Sequence, residues 1–201
     1  MTIAILDYGM GNLRSVARAI EYVGGKPEVT DDAETALAAD GVVVPGVGHF
    51  GACMRNLRER GLDRAVLELA ASGKSLFGVC VGMQILFEGS EESADAGLGL
   101  FDGIVRRLPP DVKVPHMGWN TVRWTEPHPF TGELPTGTRF YFVHSYAPDL
   151  AVGTTVGAAE HGRLFAAAVA RDNLFATQFH PEKSGLPGLR IYEGFVREAE
   201  S

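Results

Sequence analysis

The chain has 201 residues, of which 45% are hydrophobic and 21% charged, and its formal net charge is −7. This composition is typical of a single folded domain spanning residues 1–201, and it excludes a collagen-like or mainly disordered chain. The acidic balance argues against nonspecific binding to nucleic acid, which depends on lysine and arginine contacts with phosphates.

Apolar runs and cysteine content limit where the protein resides. The longest uncharged stretch, residues 41–54, is interrupted by glycine and proline, whereas a membrane-spanning helix needs ~18–20 apolar residues. Two cysteines, Cys53 and Cys80, are too few for a disulfide framework or a zinc site. We therefore expect no membrane association, no metal and no other cofactor, with both thiols free in the cytoplasm.

Strand and helix patterns alternate over the first ninety residues. In chain order they predict a strand at 3–6, a helix at 13–23 capped by Asn12, a strand at 42–44, helical segments at 57–69 broken near Gly61, a strand at 76–79 and a helix opened by Met83, Leu86 and Phe87. Continuous apolar strands that alternate with helices predict a parallel sheet with right-handed crossovers.

The second half of the chain is rich in short strands. Strands are predicted at 103–107, 120–124, 138–146, 154–160, 164–171 and 174–179, followed by a helix at 187–199. Several of these are close enough in sequence to pair antiparallel. The predicted fold is a three-layer α/β domain, similar to flavodoxin: an open, mostly parallel sheet flanked by helices, with an antiparallel extension.

The first candidate catalytic segment is Gly78-Val79-Cys80-Val81-Gly82, between a predicted strand and a predicted helix. This is the pattern of a nucleophile elbow, with sulfur in place of the hydroxyl. Small neighbours allow a tight turn, and a helix N-terminus beside the sulfur favours the reactive thiolate. The pattern alone leaves open a cysteine that only packs in the core, which is the interpretation we favour for Cys53.

The second candidate is His180-Pro181-Glu182, which follows the predicted strand 174–179. The proline favours extended backbone at His180, and residues two apart in extended chain project to the same side. His180 and Glu182 can therefore form the base and orienting carboxylate that a nucleophile requires. Taken alone, the segment favours the alternative, a surface loop in which both side chains are solvated. Because sites in open parallel sheets gather at the carboxyl ends of strands, this pair and Cys80 are expected to meet.

The third candidate is the glycine-rich segment Pro45-Gly46-Val47-Gly48-His49-Phe50-Gly51. Its G-x-G-x-x-G spacing lacks the acidic residue that a dinucleotide site places after the next strand, so NAD binding is rejected. Close approach of backbone N–H groups to an oxyanion is the interpretation we favour. A tight turn without a ligand is the alternative.

Weaker signals lie elsewhere in the chain. Gln84, one turn after Cys80, suits either a polar ligand group or a local backbone partner. The segment 114–120 mixes His116, Trp119 and Asn120, which suits a protein–protein contact or simple packing.

These motifs together resemble the class I glutamine amidotransferases, which have a catalytic triad. Two further segments, Asp7-Tyr8-Gly9-Met10-Gly11-Asn12 and Pro115-His116-Met117-Gly118-Trp119-Asn120, narrow the resemblance to the family of glutaminase subunits of imidazole glycerol phosphate synthase. The similarity runs over essentially the whole chain.

The resemblance implies a glutaminase that supplies ammonia to a (β/α)₈-barrel cyclase subunit in histidine biosynthesis. It implies that Cys80 attacks L-glutamine, His180 moves the proton and Glu182 holds the imidazole. The other implied positions are an oxyanion hole at Val47, Gly48 and Val81, glutamine contacts at Gly46, Gly48, Gln84, Ser145 and Tyr146, and a partner interface at Tyr8, Asn12, Trp119, Asn120 and Lys183.

Three other functions remain as alternatives. The glutaminase partner of pyridoxal phosphate synthase is similar in size and triad, but the segment 115–120 speaks against it. A cysteine peptidase or γ-glutamyl hydrolase acting alone is the second. The third is a flavodoxin-like binding module in which Cys80 only packs, and this requires elbow, base and acid to be accidental.

Overall fold

Twelve strands and six helices make up residues 1–200, the part of the chain that the computed structural model describes. The strands are β1 (Thr2–Leu6), β2 (Lys26–Thr30), β3 (Gly41–Gly46), β4 (Ser75–Cys80), β5 (Phe87–Ser90), β6 (Phe101–Arg107), β7 (His116–Trp124), β8 (Thr138–His144), β9 (Tyr146–Ala147), β10 (Thr155–His161), β11 (Arg163–Arg171) and β12 (Leu174–Thr177). The helices are α1 (Leu13–Tyr22), α2 (Ala33–Ala38), α3 (Phe50–Glu59), α4 (Leu62–Ser72), α5 (Val81–Gln84) and α6 (Gly185–Ala199), with one 3₁₀ turn at Pro181–Lys183.

A nine-stranded sheet organises the molecule in the order β2-β1-β3-β4-β12-β11-β10-β7-β8. The first five strands are parallel, and every pair from β12 to β8 is antiparallel. Strands β5, β6 and β9 form a small separate sheet. The predicted α/β fold with an antiparallel extension is confirmed.

Strands β3, β4 and β12 lie side by side in the middle of this sheet and end at the same edge. Gly46 pairs with Cys80, and Thr177 pairs with Val79. The register therefore brings the residues that follow these three strands to one place, as the parallel arrangement predicts.

Packing on both faces holds the central strands. Every residue of β3 and β12 is buried, and in β4 only Ser75 is partly exposed. The ring of Phe77 lies 5.4–5.6 Å from the rings of Phe175, Tyr192 and Phe195, and α6 joins α1 on this face while α2 contacts α4. Such buried aromatic area fixes the strand that carries Cys80.

Several sequence expectations need correction. Helix α5 ends at Gln84, and Phe87 starts β5, because Phe87 pairs with Phe101 of β6. Cross-strand pairing thus overrides the helical spacing of the apolar residues. Strand β2 and helix α2 were not predicted at all, and β7 begins four residues before the predicted strand.

The predicted break near Gly61 is confirmed. Gly61 adopts φ 67°, a left-handed conformation that a glycine reaches without strain, between α3 and α4. Among residues 1–200, no helix combines the length and the hydropathy required to cross a membrane.

Candidate active site

Cys80 occupies a strained turn between β4 and α5. Its backbone has φ 56° and ψ −111°, in a region that non-glycine residues rarely adopt. Gly82 makes the turn possible, because a Cβ atom there would lie 1.9 Å from the carbonyl oxygen of Val44. The elbow is therefore wedged against β3, and strain of this kind is concentrated at functional sites.

His180 and Glu182 form a buried pair beside this turn. His180 Nδ1 lies 2.8 Å from Glu182 Oε1, and both side chains are almost fully buried. The backbone of His180 is fixed from two sides, since its N–H donates to the Tyr141 carbonyl at 2.9 Å and its carbonyl accepts from Ser184 Oγ at 2.6 Å. The carboxylate keeps a proton on Nδ1, so Nε2 is the nitrogen that can exchange a proton with another group.

The electrostatics of His180 couple it to Cys80. Burial alone lowers the pKa of His180, but the Cys80 sulfur and then Glu182 outweigh burial and raise the pKa to about 10. His180 Nε2 has no hydrogen-bond partner among residues 1–200, although the Cys80 sulfur contributes to the raised pKa of this imidazole. Hydrogen bonds between catalytic groups are often long before a substrate binds.

Both side chains open into one cavity of about 350 Å³. Its lining consists of Val47, Gly48, Cys80, Val81, Gln84, Glu92, Pro115, Val143, His144, Ser145, Tyr146, His180 and Lys183. A larger groove of about 490 Å³ beside α6 contains neither a cysteine nor a histidine. The cavity of about 350 Å³ is therefore the candidate site, because it brings together a cysteine and a histidine, residue types that can act as nucleophile and base.

The last two residues of β3 and the two that follow, which we call the oxyanion strand (residues 45–48), have carbonyls that Tyr8 and Cys53 hold in place. The hydroxyl of Tyr8 donates to the Pro45 carbonyl, and Cys53 Sγ lies 3.6 Å from the Val47 carbonyl. Burial raises the pKa of Cys53 to about 12, so it stays a thiol that can donate. Because the C=O and N–H of a trans peptide point in opposite directions, the Gly48 N–H faces away from Cys53.

Two glutamine side chains connect the elbow to the far wall of the cavity. Gln84 Nε2 donates to the Tyr146 carbonyl and to Gln178 Oε1, each at 3.0 Å. Gln178 Nε2 lies 3.8 Å from the Cys80 sulfur. Gln84 thus reaches both a backbone group and the cavity. Gln178 lies beside the Cys80 sulfur and was missed by sequence analysis, because no motif marks it.

Three expected contact positions are placed differently from the expectation. Gly46 is buried against the elbow and does not line the cavity. Tyr8 is fully buried, so its side chain cannot form part of a partner surface. Asn12 occupies the N-cap position of α1 as predicted, but its side chain makes no capping hydrogen bond. Its amide instead donates to Glu182 Oε1 at 3.5 Å, inside the chain.

The remaining interface candidates lie near the cavity mouth. Trp119 is 48% exposed and packs edge-on against Tyr141, with ring centroids 6.2 Å apart. Lys183 Nζ lies 6.0 Å from the centre of the same tyrosine ring. Asn120 is partly buried and donates to the Glu160 carbonyl, so its amide is occupied within the chain.

Glu92 is a cavity residue that sequence analysis missed. Its Oε2 accepts the Phe50 N–H at 2.7 Å, at the first residue of α3. Glu92 lies in a loop with no regular spacing to the other motifs, so only the fold brings it to the cavity. Among residues 1–200, no group of three histidine, cysteine or acidic side chains is arranged to bind a metal.

The sequence matches one protein family over almost its whole length. The family model described as glutamine amidotransferase class-I matches residues 4–199. The imidazole glycerol phosphate synthase subunit HisH of Moorella thermoacetica is 49% identical over 199 residues, which cover 96% of this chain and 93% of the relative. The protein of the same name from Bacillus cereus strain G9842 is 46% identical, covering 99% and 96%.

Solved structures share the fold at lower sequence identity. A crystal structure of a glutamine amidotransferase has a TM-score of 0.77 at 20% identity and covers 99% of both chains. The PurLQS structure from Thermotoga maritima has a TM-score of 0.76 at 19% identity, covering 98% of this chain and 97% of that one.

Proposed function

Since the chain belongs to the class-I glutamine amidotransferase family, we propose that it hydrolyses L-glutamine with a Cys80-His180-Glu182 triad. The ammonia is used by a partner cyclase of imidazole glycerol phosphate synthase, in histidine biosynthesis. The observation that carries the proposal is the 2.8 Å contact between His180 Nδ1 and Glu182 Oε1 beside the strained Cys80 turn.

The first half of the reaction forms a thioester. His180 Nε2 accepts the Cys80 thiol proton, and the sulfur attacks the side-chain amide carbon of glutamine. The raised pKa of His180 favours this transfer, because the imidazolium is stabilised beside the sulfur and Glu182. The imidazolium then protonates the departing nitrogen, the C–N bond breaks, and ammonia leaves a γ-glutamyl thioester.

The second half of the reaction restores the enzyme. A water molecule loses a proton to His180 Nε2 and its oxygen attacks the thioester carbon. The C–S bond breaks, the sulfur takes back the proton, and glutamate leaves. The sum is glutamine plus water giving glutamate plus ammonia.

The tetrahedral intermediates carry an oxyanion that needs N–H donors. We assign these to Val81, directly after the nucleophile, and to the oxyanion strand at Val47 and Gly48. The anchored Val47 carbonyl supports the Gly48 N–H as a donor, since it turns that N–H away from α3. Removing one such donor typically lowers the rate by about 10²–10³-fold.

The charged residues of the cavity suit an amino acid. Glu92 provides a carboxylate for the α-ammonium group, and Lys183 is the cavity's ammonium group for a carboxylate. Gln84, Ser145 and Tyr146 also line the cavity, which supports their assignment to glutamine binding.

We assign the partner surface to β7, beside the cavity mouth. Met117 and Trp119 project from the same side of the strand and are 61% and 48% exposed. Exposed aromatic and methionine side chains are enriched at protein interfaces. We assign Trp119 and Lys183 to contact with a (β/α)₈-barrel cyclase in a heterodimer. In this arrangement ammonia is released beside the cyclase that uses it.

The decisive experiment compares two nitrogen sources in the assembled synthase. Cys80→Ser is expected to abolish glutamine-dependent synthesis and to leave synthesis from ammonium salts intact. Survival of the glutamine reaction would refute Cys80 as the nucleophile. Failure to assemble with the cyclase, but assembly with pyridoxal phosphate synthase, would favour the alternative partner.

Two broader expectations stay predictions. We propose that residues 1–201 act as one amidotransferase domain, which the family match over residues 4–199 supports. We also propose that the protein works in a reducing cytoplasm, where Cys53 and Cys80 stay free thiols.

A further inference from the structure

A chain of three polar side chains runs from β7 to the wall of the cavity. Asn120 Nδ2 lies 3.3 Å from His116 Nε2, and His116 Nδ1 lies 2.9 Å from His144 Nε2. The other nitrogen of His144, Nδ1, lies 2.8 Å from the carbonyl oxygen of Tyr146. None of these contacts is required by the triad.

The orientation of the outer end is fixed by two independent contacts. Asn120 Nδ2 lies 2.8 Å from the Glu160 carbonyl, which can only accept. Asn120 Oδ1 accepts the N–H of Thr121 at 2.8 Å. The amide nitrogen therefore faces both Glu160 and His116, and it can only donate to the histidine.

The inner end is fixed by the Tyr146 carbonyl. A carbonyl oxygen has no proton, so His144 Nδ1 must carry the hydrogen. Burial lowers the pKa of His144 to about 3 and that of His116 to about 4, with neighbouring histidines acting in the same direction. Both rings are therefore neutral at pH 7, and each has one donor and one acceptor.

Only one proton arrangement satisfies every contact. His144 Nδ1–H donates to Tyr146, which leaves Nε2 as an acceptor that His116 Nδ1–H must fill. His116 Nε2 is then the acceptor for Asn120. Both histidines must be Nδ1–H tautomers, and the hydrogen bonds run in one direction from Asn120 to Tyr146.

The series of hydrogen bonds from Asn120 ends at the wall of the cavity. Tyr146 and His144 both line it, and the Tyr146 carbonyl also accepts from Gln84. We propose that Asn120, His116 and His144 are positioning residues that hold the Ser145-Tyr146 wall of the cavity in its glutamine-binding conformation. The binding part of this inference rests on the proposed function.

Ring packing keeps the hydrogen-bonded side chains Asn120, His116 and His144, which we call the relay, in a rigid arrangement. The His116 ring stacks between Phe142, at 5.0 Å, and His161, at 4.2 Å. His161 makes its own hydrogen bond to the Lys113 carbonyl at 2.8 Å and is not a link in the chain. It therefore offers a matched control for His116.

The first test is direct and needs no activity. Long-range ¹H–¹⁵N correlation spectra at pH 7 should show Nδ1–H tautomers for both His116 and His144. This result is discriminating, because the relay requires two adjacent rings to share one tautomer. An Nε2–H tautomer or an imidazolium at either ring overturns the relay.

The second test measures glutamine affinity by calorimetry in a Cys80→Ala background, which cannot turn glutamine over. His116→Phe keeps the ring stack but removes the donor to His144, and it should weaken glutamine binding about fivefold to tenfold, the effect of one lost hydrogen bond. His161→Phe should change affinity less than about twofold. Equal effects of the two variants overturn the positioning role. A Cys80→Ala chain that does not bind glutamine refutes the proposed function, while the tautomers still decide the relay.

Discussion

The close approach of Gly82 to Val44 predicts that alanine substitutions at three glycines will destabilise the fold to different degrees. Alanine adds the same methyl group at Gly89, Gly78 and Gly82, none of which has positive φ. The new Cβ would lie 3.4 Å from its nearest atom at Gly89, 2.9 Å at Gly78 and 1.9 Å at Gly82. Only the 3.4 Å distance at Gly89 is an ordinary contact. We therefore expect the destabilisation to increase from Gly89 to Gly78 to Gly82.

The expected loss of stability in Gly82→Ala follows from the overlap between the new Cβ and the Val44 carbonyl oxygen. Relief requires a shift of about 1.5 Å between the Cβ and the Val44 carbonyl, which is the difference between 3.4 and 1.9 Å. Both atoms belong to backbone segments within the core, so the effect should reach the upper end of overpacking, about 3 kcal/mol. For a domain of this size that corresponds to a fall in Tm of about 6–12 °C.

The assay is urea denaturation of the three variants, with glutaminase activity measured in parallel. Gly89→Ala serves as the control and should stay within about 0.5 kcal/mol of the unmodified protein. Gly82→Ala should also lose activity, because separating β3 from the elbow moves the oxyanion strand away from Cys80. Equal stability of the Gly82 and Gly89 variants would show that the elbow is not wedged against β3.

Three further outcomes are expected. Tyr8→Phe removes the hydroxyl that holds the Pro45 carbonyl, so steady-state kinetics should show kcat reduced about tenfold with KM unchanged. Trp119→Ala should weaken cyclase binding by about 2 kcal/mol in calorimetry and leave unfolding unchanged, since the side chain is half exposed. Glu182→Gln removes a group that raises the pKa of His180, and stabilisation from a raised pKa is present below pH 6.5 and lost as the pH rises through about 10. Denaturation should therefore show a larger destabilisation by Glu182→Gln at pH 6 than at pH 10.

Each of these has an outcome that contradicts it. An unchanged kcat in Tyr8→Phe would mean that the Pro45 carbonyl needs no anchor. Tight cyclase binding by Trp119→Ala would remove β7 from the interface. A pH-independent effect of Glu182→Gln would mean that the carboxylate does not stabilise the charged form of His180.

The central strands were predictable because their sequences are continuous and apolar. Residues 42–44 and 76–79 have no polar interruption, and such runs fit strands covered on both faces. The parallel order then brings the ends of these strands to one edge. For this reason the convergence of Cys80 and His180 on one cavity could be predicted from the sequence.

The missed features depend on contacts between distant parts of the chain. Strand β2, Lys26-Pro27-Glu28-Val29-Thr30, is a polar edge strand that becomes a strand only by pairing with β1. Gln178 approaches the Cys80 sulfur because β12 pairs with β4, and Glu92 reaches the cavity from the loop after β5. Tyr8 shows the opposite error, because its motif suggested a surface role while the fold buries it beneath the oxyanion strand.

The backbone conformation of Cys80 sets stability against catalysis. A glycine at this position would adopt φ 56° without strain and would leave the fold more secure, but it would have no sulfur. Relief of the strain by glycine would therefore remove the thiol on which the proposed reaction depends, so stability and the proposed activity oppose each other at this one residue.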